Sequence, residues 1–396
     1  MNKLIEMLEI IHSKRKMHTK EIVLVAEDMQ PRVAKIGSAL KKRKFKVILL
    51  LKRPDRDELA KLDKSFFSKV SFFKGKEDLY VKCLLFSPLI YHLFMEVTVD
   101  EWAEYLIRKK NILGKVVYDQ YDIYRGFFTD ALDEIGKREK YCLENADGLC
   151  CRMFETQYLK HTYHYQFKGK RLLFLDYCWN DVDVDSKPEK DGASLKFVYG
   201  GRLIPKPRTR TEGYRYKIEL NGLTHIARTI QENQAYLTIL PHRPCKGSDY
   251  SAYQRLGKKY SHIVIKDPMN YRKLIRYERH MDYGLDCLEL NEDIERYSTQ
   301  KNAFNMKAKN RYYATNKYFD YLDAGVMPIY GRKGELFGNY LARFGGAVWC
   351  SLEKLPDKMN ELKMNREANR KKAHKAREIF AIENQIGRLI DFYKKI

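Results

Sequence analysis

Hydrophobic residues in this chain come in blocks. Glu21–Ala26 (EIVLVA) is an unbroken apolar run, the mark of a strand covered on both faces. Pro31–Lys44 then places Val33, Ile36 and Leu40 at helical spacing, and Phe45–Leu51 (FKVILLL) is a second apolar run. Strand, helix and strand in that order predict the opening of a parallel, doubly wound sheet. Asp78–Phe86, Ile112–Tyr118 and Ala146–Cys151 read as further strands, with a helix of alternating charge at Asp130–Asn145.

The same alternation starts again after a polar, turn-rich segment around Trp179 that contains Pro188. Leu195–Gly200, Ala235–Leu240, Ser261–Lys266 and Val326–Tyr330 read as strands. Leu220–Gln234, Tyr250–Tyr260 and Tyr271–His280 read as helices between them. The pattern predicts an α/β chain with two Rossmann-like domains, their parallel sheets facing across a cleft. Its boundaries fall at 1–186 and 187–375, followed by an amphipathic helix over 376–396 with apolar positions at Ile379, Phe380, Ile386, Leu389, Ile390 and Phe392.

Composition narrows the partners. A chain of 396 residues with 44% hydrophobic content can bury two cores, and a net charge of +23 points to a polyanion: nucleic acid, anionic lipid or a phosphorylated substrate. Eight cysteines without regular spacing fit reduced thiols. The start shows no secretory cleavage pattern, and no apolar run approaches the roughly 20 residues of a membrane span. The expected location is cytoplasmic, with attachment to a membrane surface left open.

Candidate chemistry gathers at strand ends and loops. Ala314–Gly331 (ATNKYFDYLDAGVMPIYG) has Thr315 as N-cap, an apolar stripe at Tyr318, Phe319 and Leu322, and Gly325 to end the helix. Backbone N–H groups at Asn316 and Lys317, with the Lys317 charge, form an anion site. Asp320 offers two oxygens to the vicinal hydroxyls of a ribose. Earlier, Gly200 and Gly201 end a strand, and Arg202 and Lys206 follow as a clamp for a diphosphate. In the first half Asp119 and Asp122 stand at a strand's carboxyl end, where an acceptor hydroxyl or its base belongs, and His92 falls in a loop after Pro88. Asp181, Asp183 and Asp185 have the spacing of a cation site, yet their alternation fits an exposed linker, so no metal is expected.

The order of these pieces resembles the glycosyltransferases of the two-Rossmann GT-B fold, particularly the bacterial family-four group. The resemblance rests on ENADGLCC at 144–151, FVYGGRLIPK at 197–206, MDYGLDCL at 281–288 and TNKYFDYLDAGVMPIYG at 315–331. It implies a C-terminal domain that grips a nucleotide-diphosphate sugar through Gly201, Arg202, Lys206, Thr315, Asn316, Lys317 and Asp320, with no cofactor. The acceptor, a glycan, lipid-linked or protein, would meet the N-terminal domain through His92, Asp119 and Asp122, and the last helix would brace that domain. Asp320 stands where relatives usually carry Glu, and Tyr312 where they carry a second acid.

Two other functions fit parts of the sequence. A nucleic-acid-binding protein would use the net positive charge and 29 tyrosines. Against it, the basic residues are spread along the chain and no nucleic-acid motif occurs, so none is expected as partner. A GT-B partner subunit without catalysis would fit the departures at Asp320 and Tyr312.

Overall fold

The structure is a computed structural model that describes residues 2–52, 64–96, 99–152, 154–179, 194–207, 210–241, 244–286, 288–297 and 306–396. Asp181, Asp183 and Asp185 lie outside the described residues. The chain divides into two compact units, Met1–Asp176 with Ile382–Ile396, and Tyr177–Ala381.

The first unit is built on a seven-stranded sheet: β1 (His18–Ala26), β2 (Lys46–Lys52), β3 (Lys69–Phe73), β4 (Pro88–Met95), β5 (Val116–Gln120), β6 (Gly148–Cys151) and β7 (Lys170–Leu173). Its order is β3-β2-β1-β4-β5-β6-β7, with neighbouring strands paired parallel, so β1 is the centre from which the chain winds first one way and then the other. Val23 pairs with Ile48 on one side and Tyr91 on the other. From Ile22 onward β1 is buried, as its unbroken apolar run requires.

One predicted strand is a helix. Asp78–Phe86 falls mostly in the helix Lys76–Leu84, whose buried Leu79, Tyr80, Cys83 and Leu84 keep helical spacing. The strand begins instead at Pro88, the first residue of β4, where a missing N–H costs least. His92 therefore lies inside a fully buried strand and not in a loop. The helix Ile382–Lys395 belongs to this unit and buries Ile386, Leu389, Phe392 and Tyr393. Gly148 makes room for it, since a Cβ there would lie 2.8 Å from the Phe392 ring.

The second unit has six strands: β8 (Lys196–Gly201), β9 (Tyr236–Pro241), β10 (Ile263–Ile265), β11 (Tyr283–Leu285), β12 (Met327–Tyr330) and β13 (Val348–Trp349), ordered β10-β9-β8-β11-β12-β13 and parallel. The helix after β8 runs from Arg210 to Glu232 and so begins well before the predicted Leu220. Ile218, Leu223, Ile226, Ala227 and Ile230 are its buried stripe. The polar stretch before Ile218 continues that helix, and Arg215 and Glu219 on it line the cavity described below.

Candidate functional site

Winding direction reverses between β8 and β11 in the second unit, and the carboxyl ends of strands at such a reversal leave a crevice. Tyr321 ties the two strand ends together: its hydroxyl accepts from Gly200 N at 2.9 Å and donates to Leu285 O at 2.8 Å. Gly201 is required for close approach, because a Cβ there would lie 3.0 Å from Lys317 Cε and 2.8 Å from the Tyr199 ring. Lys317 extends over the Tyr199 ring, 4.2 Å from its centroid, and donates to Asp286 O at 2.6 Å. Arg332, directly after Gly331 and the end of β12, bonds Asp286 and reaches Glu289 at 3.4 Å.

Tyr199, Gly201, Glu289, Lys317 and Arg332 line a cavity of about 450 Å³. Five cations contribute to its wall, Arg202, Arg215, Lys309, Lys317 and Arg332, against two carboxylates, Glu219 and Glu289. Burial works against the Glu289 charge, but Arg332, Lys317, Arg215 and Lys309 hold its carboxyl below the usual range. Glu219 behaves oppositely. Burial pushes it up to about 7, and its bonds offset only part of that.

The hydrogen-bond count at Glu219 agrees. Its Oε1 accepts from Ile204 N at 2.9 Å and lies 2.6 Å from the Tyr253 hydroxyl, which also reaches Ile204 O at 2.9 Å. A phenol has one proton to donate. The Tyr253 hydroxyl therefore divides its one proton between Glu219 Oε1 and Ile204 O and stabilises the Glu219 charge only in part. A neutral Glu219 leaves the wall more positive still.

Of the residues expected at the site, Gly201, Arg202 and Lys317 line this cavity. Lys206 adjoins it in sequence through Pro205, and its backbone N–H bonds Asp249 O at 2.8 Å. Thr315 is not the N-cap: the helix runs Lys317–Asp323, Asn316 holds the capping position without a side-chain cap bond, and buried Thr315 accepts from Lys317 N at 3.4 Å. Asp320 is outside the lining and accepts from the Tyr271 hydroxyl at 3.2 Å. Sequence reading missed Arg215, Glu219, Glu289, Lys309 and Arg332. Arg332 alone had a usable signal, a cation directly after a strand and its glycine.

The corresponding reversal in the first unit, between β1 and β4, is filled. Arg32, in the first turn of the helix after β1, donates to Asp119 Oδ2 at 2.8 and 3.0 Å and to Asp176 at 3.0 Å. Arg152 donates to Asp176 at 2.7 and 3.0 Å and lies 3.4 Å from Asp122. His92 places one ring nitrogen 3.2 Å from Asp119 and the other 2.5 Å from the Tyr393 hydroxyl. All of these side chains are buried.

Burial lowers the His92 pKa and favours neutral imidazole, while Arg32 and His92 overcome burial to hold Asp119 below the usual carboxylate range. His92, Asp119 and Cys150 bring their donor atoms within 4.8 Å of one another, a spacing a metal can use. The cation at that cluster is already the Arg32 guanidinium. The structure thus brings His92 and Asp119 together, and Asp122 beside Arg152, as parts of a buried ionic network.

No family model matches the chain, and no curated protein matches it by sequence. Solved structures do. The N-terminal domain of trehalose-6-phosphate phosphatase from Candida albicans superposes with a TM-score of 0.61 at 9% identity, covering 96% of this chain and 98% of the other. Anabaena HepE in complex with UDP-glucose gives 0.59 at 10%, covering 94% and 98%. UDP-GlcNAc 2-epimerase from Neisseria meningitidis bound to UDP-GlcNAc gives 0.56 at 10%, covering 95% and 100%. With two parallel sheets, each reversing at its first strand, the chain has the two-Rossmann fold of the GT-B glycosyltransferases.

Proposed function

We propose that the chain is a glycosyltransferase that moves a sugar from a nucleotide-diphosphate sugar to a polysaccharide, glycolipid or protein-glycan acceptor. The observation that carries this reading is the cavity at the β8/β11 reversal, where five cations face two carboxylates. That wall suits a diphosphate. As the glycosyl bond breaks, the leaving diphosphate gathers charge, and cations already held in place stabilise it without reorganising. Lys317, fixed on Tyr199 and Asp286, and Arg332, fixed on Asp286 and Glu289, fill the role a metal has elsewhere.

Arg202 and Gly201 complete the diphosphate grip, with Lys206, Thr315 and Asn316 adjoining it in sequence. Asp320 enters the reading only if the ribose reaches past the cavity to the Tyr271 side of the helix. The reading gives His92, Asp119 and Asp122 the work of shaping the acceptor unit and not of moving a proton. Cytoplasmic attachment to an anionic membrane surface that carries the acceptor belongs to the same reading.

The test is calorimetry and thermal shift with UDP, GDP, ADP, CMP and their sugars. A ligand at about 100 times its dissociation constant stabilises the fold by roughly 2.7 kcal/mol, an easily measured shift. Stabilisation by one nucleoside diphosphate is expected; none by any of them removes the reading, and tight binding of a short oligonucleotide would replace it. A nucleotide-sugar epimerase is the second reading, favoured by the presence of UDP-N-acetylglucosamine 2-epimerases among the similar structures. Product analysis separates them: a transferase releases nucleoside diphosphate, slowly even to water, and an epimerase returns an altered nucleotide sugar. Binding without either product would indicate a non-catalytic subunit.

A further inference from the structure

The helix Asn2–Ser13 turns two polar side chains, Glu9 and His12, inward. His12 is buried, its ring nitrogens 3.2 Å from Leu84 O and 3.3 Å from Leu113 O. Glu9 accepts from the Tyr80 hydroxyl at 2.6 Å and from Lys109 at 3.2 Å. These long-range bonds set the rotation of the helix about its axis. Ile5 and Leu8 are half-buried, and four further apolar side chains face out: Leu4 is 51% exposed, Met7 51%, Ile10 57% and Ile11 41%.

Positions 4, 7 and 11 form one stripe on a helix, with Ile10 beside it. Met17 and Leu85 are exposed to a similar degree, and Arg15 holds the Leu85 carbonyl at 2.7 Å, which places Leu85 beside the chain just after the helix. Single exposed apolar residues are ordinary on a protein surface, whereas a run of them on one helix marks a surface that meets a partner.

Charge selects among the partners. Lys3 on the helix and Lys14, Lys16 and Lys20 shortly after it in sequence are exposed, as is the acid Glu6 on the helix. A second copy would bring lysines to lysines on a chain whose net charge is +23. An anionic bilayer takes the apolar side chains into its acyl boundary and the lysines into its headgroups together.

We propose that Asn2–Ser13 is an in-plane anchor on an anionic lipid bilayer, with Leu4, Met7, Ile10 and Ile11 as its inserted face. The anchor rests on the reading that the chain attaches peripherally to a membrane, and it is independent of what the β8/β11 cavity binds. No helix among the described residues is long and apolar enough to cross a membrane, so the contact is with the surface.

The experiment is flotation of the full chain with phosphatidylcholine vesicles containing about one third phosphatidylglycerol, against phosphatidylcholine alone. The wild-type chain is expected to float with the anionic vesicles and less so at high salt. Met7→Asp combined with Ile10→Asp is expected to weaken partition by at least about tenfold. Circular dichroism and melting should be unchanged, because both side chains are exposed; Met7→Gln with Ile10→Gln is the milder pair should the charged one misfold. Wild type and folded variant floating equally would overturn the anchor while leaving peripheral attachment to other basic segments. No flotation of wild type would overturn both, and a concentration-dependent dimer that the variant breaks would then assign the face to a second copy.

Discussion

The two units carry the same topological feature and use it in opposite ways. At the β1/β4 reversal, Arg32 and Arg152 meet Asp119, Asp122 and Asp176, and each guanidinium is bonded to buried carboxylates. At the β8/β11 reversal the cations outnumber the carboxylates around a cavity of about 450 Å³. A crevice whose charges are matched internally is a piece of architecture. One whose cations outnumber the carboxylates in its wall is preorganised for an anion from outside, because those cations are already held in place.

The sharpest way to break that contrast is to remove a matched charge. Asp119→Ala leaves Arg32 buried with its strongest partner gone, so denaturant unfolding should show a loss of about 3–5 kcal/mol. A loss below about 1 kcal/mol would mean that Arg32 finds other partners and that the network is not a closed set. The acid limb gives the same information. Arg32 and His92 hold the Asp119 carboxyl below its ordinary range, so its contribution is complete above the ordinary aspartate pKa and is lost as pH falls through the lower folded value.

Removing a cation from the cavity wall should act on binding more than on folding. Lys317→Ala should weaken nucleoside diphosphate binding by roughly 1.5–3 kcal/mol, about tenfold to a hundredfold, as measured by calorimetry. Its unliganded melting temperature should move little. Arg332→Ala tests the same wall less cleanly, because Arg332 also secures Asp286. If both variants bind as the wild type does, the anion site is elsewhere.

Glu219 offers a smaller and more specific effect. As pH rises through about 7 the carboxyl ionises inside the cation-lined wall and begins to repel an anionic ligand. Nucleotide affinity should therefore fall several-fold from the acid to the alkaline side, and Glu219→Gln should flatten the profile while keeping the acid-side affinity. Stability has the same sign: the folded state holds this proton more tightly than the unfolded chain, so stability falls as pH rises from the ordinary glutamate pKa to about 7 and is level beyond it. The smallest effect belongs to the surface pair Lys246–Asp267, where both side chains are largely exposed. Breaking it should cost less than about 1 kcal/mol by the same denaturant measurement, which sets the scale for the others.

Local pattern made most of the architecture legible. The apolar runs of β1 and β2, and the shorter ones of β8 and β9, could be recognised without neighbours, since strands covered on both faces need no polar alternation. The stretch from Asp78 to Phe86 was not, because LYVKCLLF satisfies both strand and helix spacing until Pro88 is known to open the next strand. At the site, GGR and Lys317 could be found because glycine and charge cluster locally. Glu219, Glu289 and Lys309 could not, since each reaches the cavity from a different element and no spacing links them.

The sequence by itself determined that this is an α/β chain of two parallel sheets, because apolar runs and helical spacing are set by neighbours a few residues apart. Only the tertiary structure decided that Asp119 and His92 are locked beside Arg32 while Lys317 and Arg332 line an open cavity. Whether a charge is neutralised depends on which distant side chains burial brings within about 3 Å of it, and no local pattern encodes that distance.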